Sequence, residues 1–358
     1  MSYSKRMENL RGLILEKNLD AVLISSCESL LYFCGTSLVR GFLAVTKEAA
    51  CLFTDYEVTD YEVQSPNSEI ENIYQQGRIY QNIAAFFYKN NVKTVGFEDK
   101  SLTVNEYKRL NYSEHNLDFI PLKDSLVYLR AQKDEEELKN LAIAARISDE
   151  VFTRIIDNFN VGMTERELAS FIDLTARKLG ADGVSFDTVV SSGKNSALLH
   201  KKNTDKEIEH GDILVIDYGI LYQGYTVDMT RTVFVGEILE RAKEIYNIVY
   251  YAFVKTIDRI RDNVKAADID KCARDIISSF GYGENFLHST GHGVGLSIHE
   301  APFISAQSPD TLKENMAIAV EPGIYVADFG GFRIEDTLVV RQDEAEFLTK
   351  SPKEIIIL

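Results

Sequence analysis

The stretch VIDYGILYQGYTVDMTRT (215–232) leaves an apolar run at one aspartate and reaches a second aspartate eleven residues later. It reads as a hairpin. A turn centred on Tyr222-Gln223 sets Leu221 opposite Gly224 and Asp217 opposite Asp228. Like charges directly opposed on a strand pair are destabilising. Such a placement needs compensation from elsewhere in the chain.

The composition narrows what that compensation is for. The 358 residues are 45% hydrophobic and 26% charged, which is ordinary for a soluble protein, and the length suggests about two domains. A net charge of −16 argues against a nucleic-acid partner, which requires a basic face, and against anionic membranes. No apolar run approaches the roughly 20 residues that span a bilayer. MSYSKRMENLRGLILEKNLDAVLI (1–24) carries charges where a signal peptide is apolar, so a cytoplasmic protein is expected. Cys27, Cys34, Cys51 and Cys272 lack any paired metal-type spacing and read as free thiols.

Residues 1–130 alternate between helix and strand. Met7, Leu10, Leu13 and Ile14 have helical spacing, as does 78–90. DAVLISS (20–26), GFLAVT (41–46), AACLFT (49–54), VKTVGFE (92–98) and LDFIPL (117–122) read as strands. This is a mixed α/β domain without a motif that carries chemistry. SLVYLRAQKDEEELKNL (125–141) leads into a long helix with acidic residues at its start, where the helix dipole favours them. The domain boundary is placed near Arg130. Residues 131–358 then read as helices over 134–158, 164–179, 239–262 and 266–279, separated by Gly-punctuated strands, a pattern of class α+β.

Chemistry concentrates in this second domain. In LHSTGHGVGLSIHE (287–300), Gly291, Gly293 and Gly295 disfavour a helix, so His288 and His292 are not a helical metal pair. AIAVEPGIYV (317–326) is a buried strand with Glu321 at its end, broken by Pro322-Gly323. GGFRIEDTLVV (330–340) carries Glu335 on a strand beside Arg333 and Asp336. Glu321 and Glu335 are symmetric about Asp328, so a hairpin turning at ADFGG brings them close. Two Asp and two Glu converging in a low-dielectric interior repel strongly. Two divalent ions balance four carboxylates, and the addition of His292 makes a mixed O/N set suited to Mn²⁺, Co²⁺, Fe²⁺ or Zn²⁺.

DYG…GYTVDMTRT, HSTGHGVGLSIHE, EPGIY and GGFRIEDT together resemble the motifs of the pita-bread metallopeptidases: aminopeptidase P, prolidase and methionine aminopeptidase. The resemblance runs in order through about 135–358. It implies a C-terminal pita-bread (creatinase/aminopeptidase) fold preceded by a smaller α/β creatinase-like domain. It also implies Asp217, Asp228, His292, Glu321 and Glu335 as ligands of two divalent ions, manganese foremost, with Asp228 and Glu335 bridging. NSALLHKKN (195–203) is similar to the family's substrate-side histidine segment and picks out His200. His288 and His299 match substrate-contacting histidines, Arg333 matches an arginine at the prolyl end of the substrate, and Tyr325 matches a tyrosine beside the metals. Ser289 and Thr290 depart from the residues common in relatives, and Trp is absent.

The resemblance implies hydrolysis of the bond before proline. A water activated between the ions would attack, Glu321 would shuttle the proton, and His200 and His299 would stabilise the oxyanion or the leaving nitrogen. The roughly 130 preceding residues resemble the aminopeptidase P and prolidase arrangement, not that of methionine aminopeptidase. An Xaa-Pro aminopeptidase acting on proline-containing peptides is expected, with an Xaa-Pro dipeptidase as the alternative, as a homodimer. Creatinase-like hydrolases and metal-free binding modules share the architecture, but the five intact ligands oppose both.

Overall fold

Met7, Leu10, Leu13 and Ile14 are buried along one face of helix α1 (Tyr3–Glu16), as side chains three and four residues apart must be on a packed helix. The computed structural model describes residues 3–36, 41–54, 65–74, 77–111, 117–199 and 202–358. It divides into two units, Met1–Arg130 and Ala131–Leu358.

In the first unit α1 is followed by β1 (Ala21–Ile24), α2 (Cys27–Cys34), β2 (Phe42–Thr46), β3 (Ala50–Thr54) and β4 (Glu71–Tyr74). Then come α3 (Ile79–Lys89), β5 (Thr94–Phe97), α4 (Val104–Asn111), β6 (Asp118–Pro121) and α5 (Ser125–Ala131). Among the described residues the strands form one sheet in the order β4-β3-β2-β1-β5-β6. It is mixed: β1 runs antiparallel to β2 and parallel to β5. Leu23, Phe53, Val95 and Phe119 from the sheet pack with Ile83 and Phe87 of α3 in one buried cluster. Each such side chain contributes roughly 1.5–3 kcal/mol on burial.

The second unit repeats one plan twice: a pair of helices followed by antiparallel strands. The first pass is α6 (Glu135–Asn158), α7 (Glu165–Lys178), β7 (Gly183–Val184), β8 (Val189–Ser192), β9 (Ile213–Tyr222) and β10 (Tyr225–Phe234). The second is α8 (Glu240–Ile257), α9 (Ala266–Ser279), β11 (Gly291–Gly293), β12 (Glu300–Ile304), β13 (Ala317–Val320), β14 (Gly323–Val326), β15 (Gly330–Arg333), β16 (Asp336–Val340) and β17 (Ala345–Phe347). Asp134 and Thr164 close capping boxes with Glu137 and Glu167 at the starts of α6 and α7, which fixes both helix entries. β9 pairs with β10, β7 and β8, while β12-β11-β13-β16-β17 form a second sheet and β14-β15 a two-stranded ribbon. With helices segregated from antiparallel sheets, the class is α+β.

Candidate metal centre

The hairpin of β9 and β10 turns one residue later than its sequence reading. Tyr222 pairs with Tyr225, so Gln223-Gly224 form the turn, and Asp217 faces Thr230 while Asp228 faces Gly219. The reason is local. A two-residue turn matching the strand twist needs positive φ at both central positions, and Gln223 and Gly224 have φ 51° and 80°. Shifting the turn by one residue shifts the pairing by two, so both aspartates keep the same face as diagonal neighbours. At roughly 7–8 Å across the diagonal, the face leaves room between them.

Two further segments meet this face. β11 carries His292, flanked by Gly291 and Gly293, where an added Cβ would overlap the carbonyl oxygens of Ala319 and Ala301. The His292 Nδ1 lies 3.0 Å from the Gly293 carbonyl oxygen, which accepts only, so Nδ1 carries the hydrogen and Nε2 presents a lone pair. That Nε2 lies 3.6 Å from Asp228 Oδ2 and 3.8 Å from Glu321 Oε1. The β14-β15 ribbon is centred on Asp328, at φ 59°. Glu321 and Glu335 lie just beyond its two ends, with Glu335 in the break between β15 and β16 rather than within a strand. Ligand atoms of Asp228, His292 and Glu335 all lie within 4.8 Å of one another.

The electrostatics are those of a site built for cations. Burial, followed by Asp217 and Glu321, raises the Asp228 carboxyl well above its ordinary range. Burial, followed by Asp228 and Glu321, does the same to Glu335. Burial pushes Glu321 up to about 8, against the pull of Arg333. Burial lowers His292 to about 4, keeping the imidazole neutral as a ligand must be. Asp217 Oδ1, Asp228 Oδ1 and Glu335 Oε1 are buried without a hydrogen-bond partner. Orphaned buried oxygens are costly in a native fold, and divalent ions would satisfy all three. The donor set fits two such ions.

Arg333 lines the cavity over the centre and also bonds within it. Its Nη2 donates to Asp217 Oδ2 at 2.5 Å, Nη1 to the Tyr325 hydroxyl at 2.7 Å and Nε to Thr230 Oγ1 at 3.0 Å. The guanidinium therefore braces the centre from within. Tyr325 must in turn donate to His288 Nε2, 2.9 Å away, because Nδ1 of that ring faces the Ser289 carbonyl oxygen at 2.8 Å. Burial lowers His288 to about 4, which agrees with this neutral tautomer. His299 is exposed and stands edge-on to His292, with ring centroids 4.4 Å apart. His200 lies outside the described residues.

Thr230 is a site residue that the sequence reading missed. Its hydroxyl donates to Glu335 Oε2 at 2.6 Å and accepts from Arg333. The signal was present, since Thr230 lies two residues beyond Asp228 on the same face. Arg231, fully buried, donates to the backbone oxygens of Thr230 and Glu335 and to Asp336 Oδ1. Asp270 and Arg274 of α9 clamp the loop before β11: Asp270 accepts from Thr290, and Arg274 donates to the carbonyl oxygens of Phe286 and His288.

A cavity of about 680 Å³ opens onto the centre, lined by Asp217, Asp228, His292, Glu321, Glu335 and His299, and farther out by Phe186, Leu199 and Leu287. No helix among the described residues is long and apolar enough to cross a membrane, and the four cysteines are unpaired.

Known proteins share this arrangement. Residues 139–342 match metallopeptidase family M24, and residues 6–132 match the creatinase/prolidase N-terminal domain. The Xaa-Pro dipeptidase of Pyrococcus horikoshii is 37% identical over 347 residues, covering 96% of each chain. The solved structure of an Xaa-Pro dipeptidase from Bacillus anthracis superposes with a TM-score of 0.96 at 36% identity over the whole of both chains. An X-Pro aminopeptidase from Thermotoga maritima superposes at 0.89 with 34% identity, covering 99% of this chain and 100% of its own. The matched family region contains all five expected ligands, and these relatives are similar along their full length: the chain belongs to metallopeptidase family M24.

Proposed function

We propose that this chain is an Xaa-Pro dipeptidase that works with two divalent ions, which Asp217, Asp228, His292, Glu321 and Glu335 would hold. The observation that carries the reading is the set of orphaned carboxylate oxygens on Asp217, Asp228 and Glu335, with ligand atoms of Asp228 and Glu335 gathered with those of a neutral His292. The dipeptidase reading displaces the aminopeptidase expected from the motifs, because two of the relatives described above are Xaa-Pro dipeptidases and one of them superposes at 0.96, against 0.89 for the aminopeptidase.

When bound, the ions supply Lewis acidity, polarising the scissile carbonyl and making a water nucleophilic near neutral pH. The chain does the rest. Glu321 takes a proton as water attacks the carbonyl carbon before proline, and passes it to the prolyl nitrogen as the bond breaks. His299, at the cavity mouth beside His292, donates to the developing oxyanion, with His200 assigned to the same step by resemblance. His288 has both ring nitrogens engaged, so it meets substrate through its ring and fixes Tyr325. Phe186, Leu199 and Leu287 offer an apolar wall to the prolyl ring, and a proline amide brings no N–H that would need an acceptor there. Arg166 and Lys202 line the same cavity and bring positive charge toward the free carboxylate of a dipeptide.

The test is kcat/KM for Xaa-Pro, Xaa-Pro-Yaa and Xaa-Ala substrates with the Mn²⁺-loaded protein. Xaa-Pro is expected to exceed both others by about tenfold or more. Preference for the tripeptide would restore the aminopeptidase reading, and equal rates on Xaa-Ala would remove proline direction.

A further inference from the structure

Lys133 and Glu300 form an ion pair of 2.7 Å in which each side chain is only 1% exposed. A buried pair of this kind contributes little net stability, because desolvating both charges offsets their attraction. Its geometric effect is larger. Lys133 Nζ also donates to the Ala131 carbonyl oxygen at 3.0 Å, and Glu300 Oε2 accepts from the Ser297 backbone N–H at 3.3 Å. Glu300 thus holds both ends of the four-residue loop that carries His299. Gly295 makes room for the pair: a Cβ there would overlap Glu300 Oε1 and come within 3.0 Å of Lys133 Cε. The base of the loop is tied to the metal hairpin as well, since Gly295 O accepts from both the N–H and the hydroxyl of Thr226, two residues before Asp228.

We infer that Lys133 and Glu300 are positioning residues that set the His299 ring against His292, so that the pair acts on turnover through His299. The inference rests on the catalytic reading of His299 above. The bonds of the two charged groups described above run to Ala131, to Ser297 and to each other, so metal content is expected to survive their loss.

The experiment is a mutant cycle in the full-length, Mn²⁺-loaded protein. The double variant Lys133→Met/Glu300→Gln removes both charges together, leaving none stranded. It is expected to lower kcat for an Xaa-Pro dipeptide by about tenfold with KM within about twofold, and with metal content unchanged by elemental analysis. In a His299→Ala background the same pair of changes is expected to lower kcat by less than about twofold, because residues acting through one another are not additive. An equal fold loss in both backgrounds, or full kcat in the double variant, would overturn the inference. If the double variant does not fold, Glu300→Gln alone, which keeps a carbonyl acceptor for Lys133, is read through the same cycle. Full kcat in His299→Ala by itself would instead refute the catalytic reading of that histidine.

Discussion

Thr230 and Glu335 join the two hairpins of the metal centre: the threonine hydroxyl donates to Glu335 Oε2 at 2.6 Å while Glu335 Oε1 is left without a partner. One carboxylate oxygen is thereby fixed and the other is free to face a cation. The same hydroxyl accepts from Arg333 Nε. Thr230→Val keeps the shape and removes both bonds. It is expected to destabilise the protein by about 1–3 kcal/mol and to weaken metal binding by about 10–100-fold, read by denaturant unfolding and by calorimetric metal titration. Unchanged affinity would mean that Glu335 is oriented by something else.

Asp228→Asn separates stability from function. Asp228 is buried against Asp217 and Glu321, and each raises its carboxyl. In metal-free protein the amide relieves that repulsion, so Tm is expected to rise. Metal content and peptidase activity are expected to fall below detection. A variant that is both less stable without metal and fully active would contradict the assignment.

The pH dependence of the metal-free protein follows from opposed shifts. Glu321 titrates at about 8 in the folded chain against 4.5 ordinarily, and Asp228 and Glu335 are raised as well. Above about pH 7.5, one unit beyond their ordinary 6.5, the lowered His288, His292 and His299 are neutral whether folded or unfolded, so only the carboxyls count. The folded state then binds more protons than the unfolded one, and stability falls as pH rises. Between about 4.5 and 7.5 the histidines act in the opposite sense. Tm of chelator-treated protein is therefore expected to decline from about pH 7.5 to 8.5, and metal affinity to grow over the same window as ligand protons are released. A Tm that climbs across it would refute the carboxylate shifts.

Arg333→Lys discriminates between two roles. A guanidinium gripping the substrate carboxylate would make the change selective for dipeptides. The observed bonds to Asp217, Tyr325 and Thr230 predict instead that kcat/KM falls for dipeptides and tripeptides alike, within about twofold of each other. A loss confined to dipeptides would return Arg333 to the substrate.

Much of this architecture was legible because hydrophobic period and turn chemistry agree. The helices at 134–158, 164–179 and 266–279 were expected within a residue or so of their observed ends, whereas the one expected over 239–262 ends at Ile257. The ADFGG turn was legible from the symmetry of Glu321 and Glu335 about Asp328, a residue type that tolerates the positive φ it adopts there. Helix α2 was not foreseen: at eight residues its apolar run resembles a strand, and its cap at Ser26 lies inside a segment read as one. The hairpin register was missed by two because the aspartates drew attention away from Gln223-Gly224. Thr230 escaped for a different reason. A single sequence shows that a side chain shares a face with a ligand, but not which carboxylate it will bond.

The most direct test is a titration of metal-free protein with Mn²⁺ while hydrolysis of an Xaa-Pro dipeptide is followed. The account predicts no turnover without metal and a rate that reaches its plateau near two ions per chain, because four carboxylates and one imidazole hold a pair of ions. Full hydrolysis by protein shown by elemental analysis to be metal-free would contradict it.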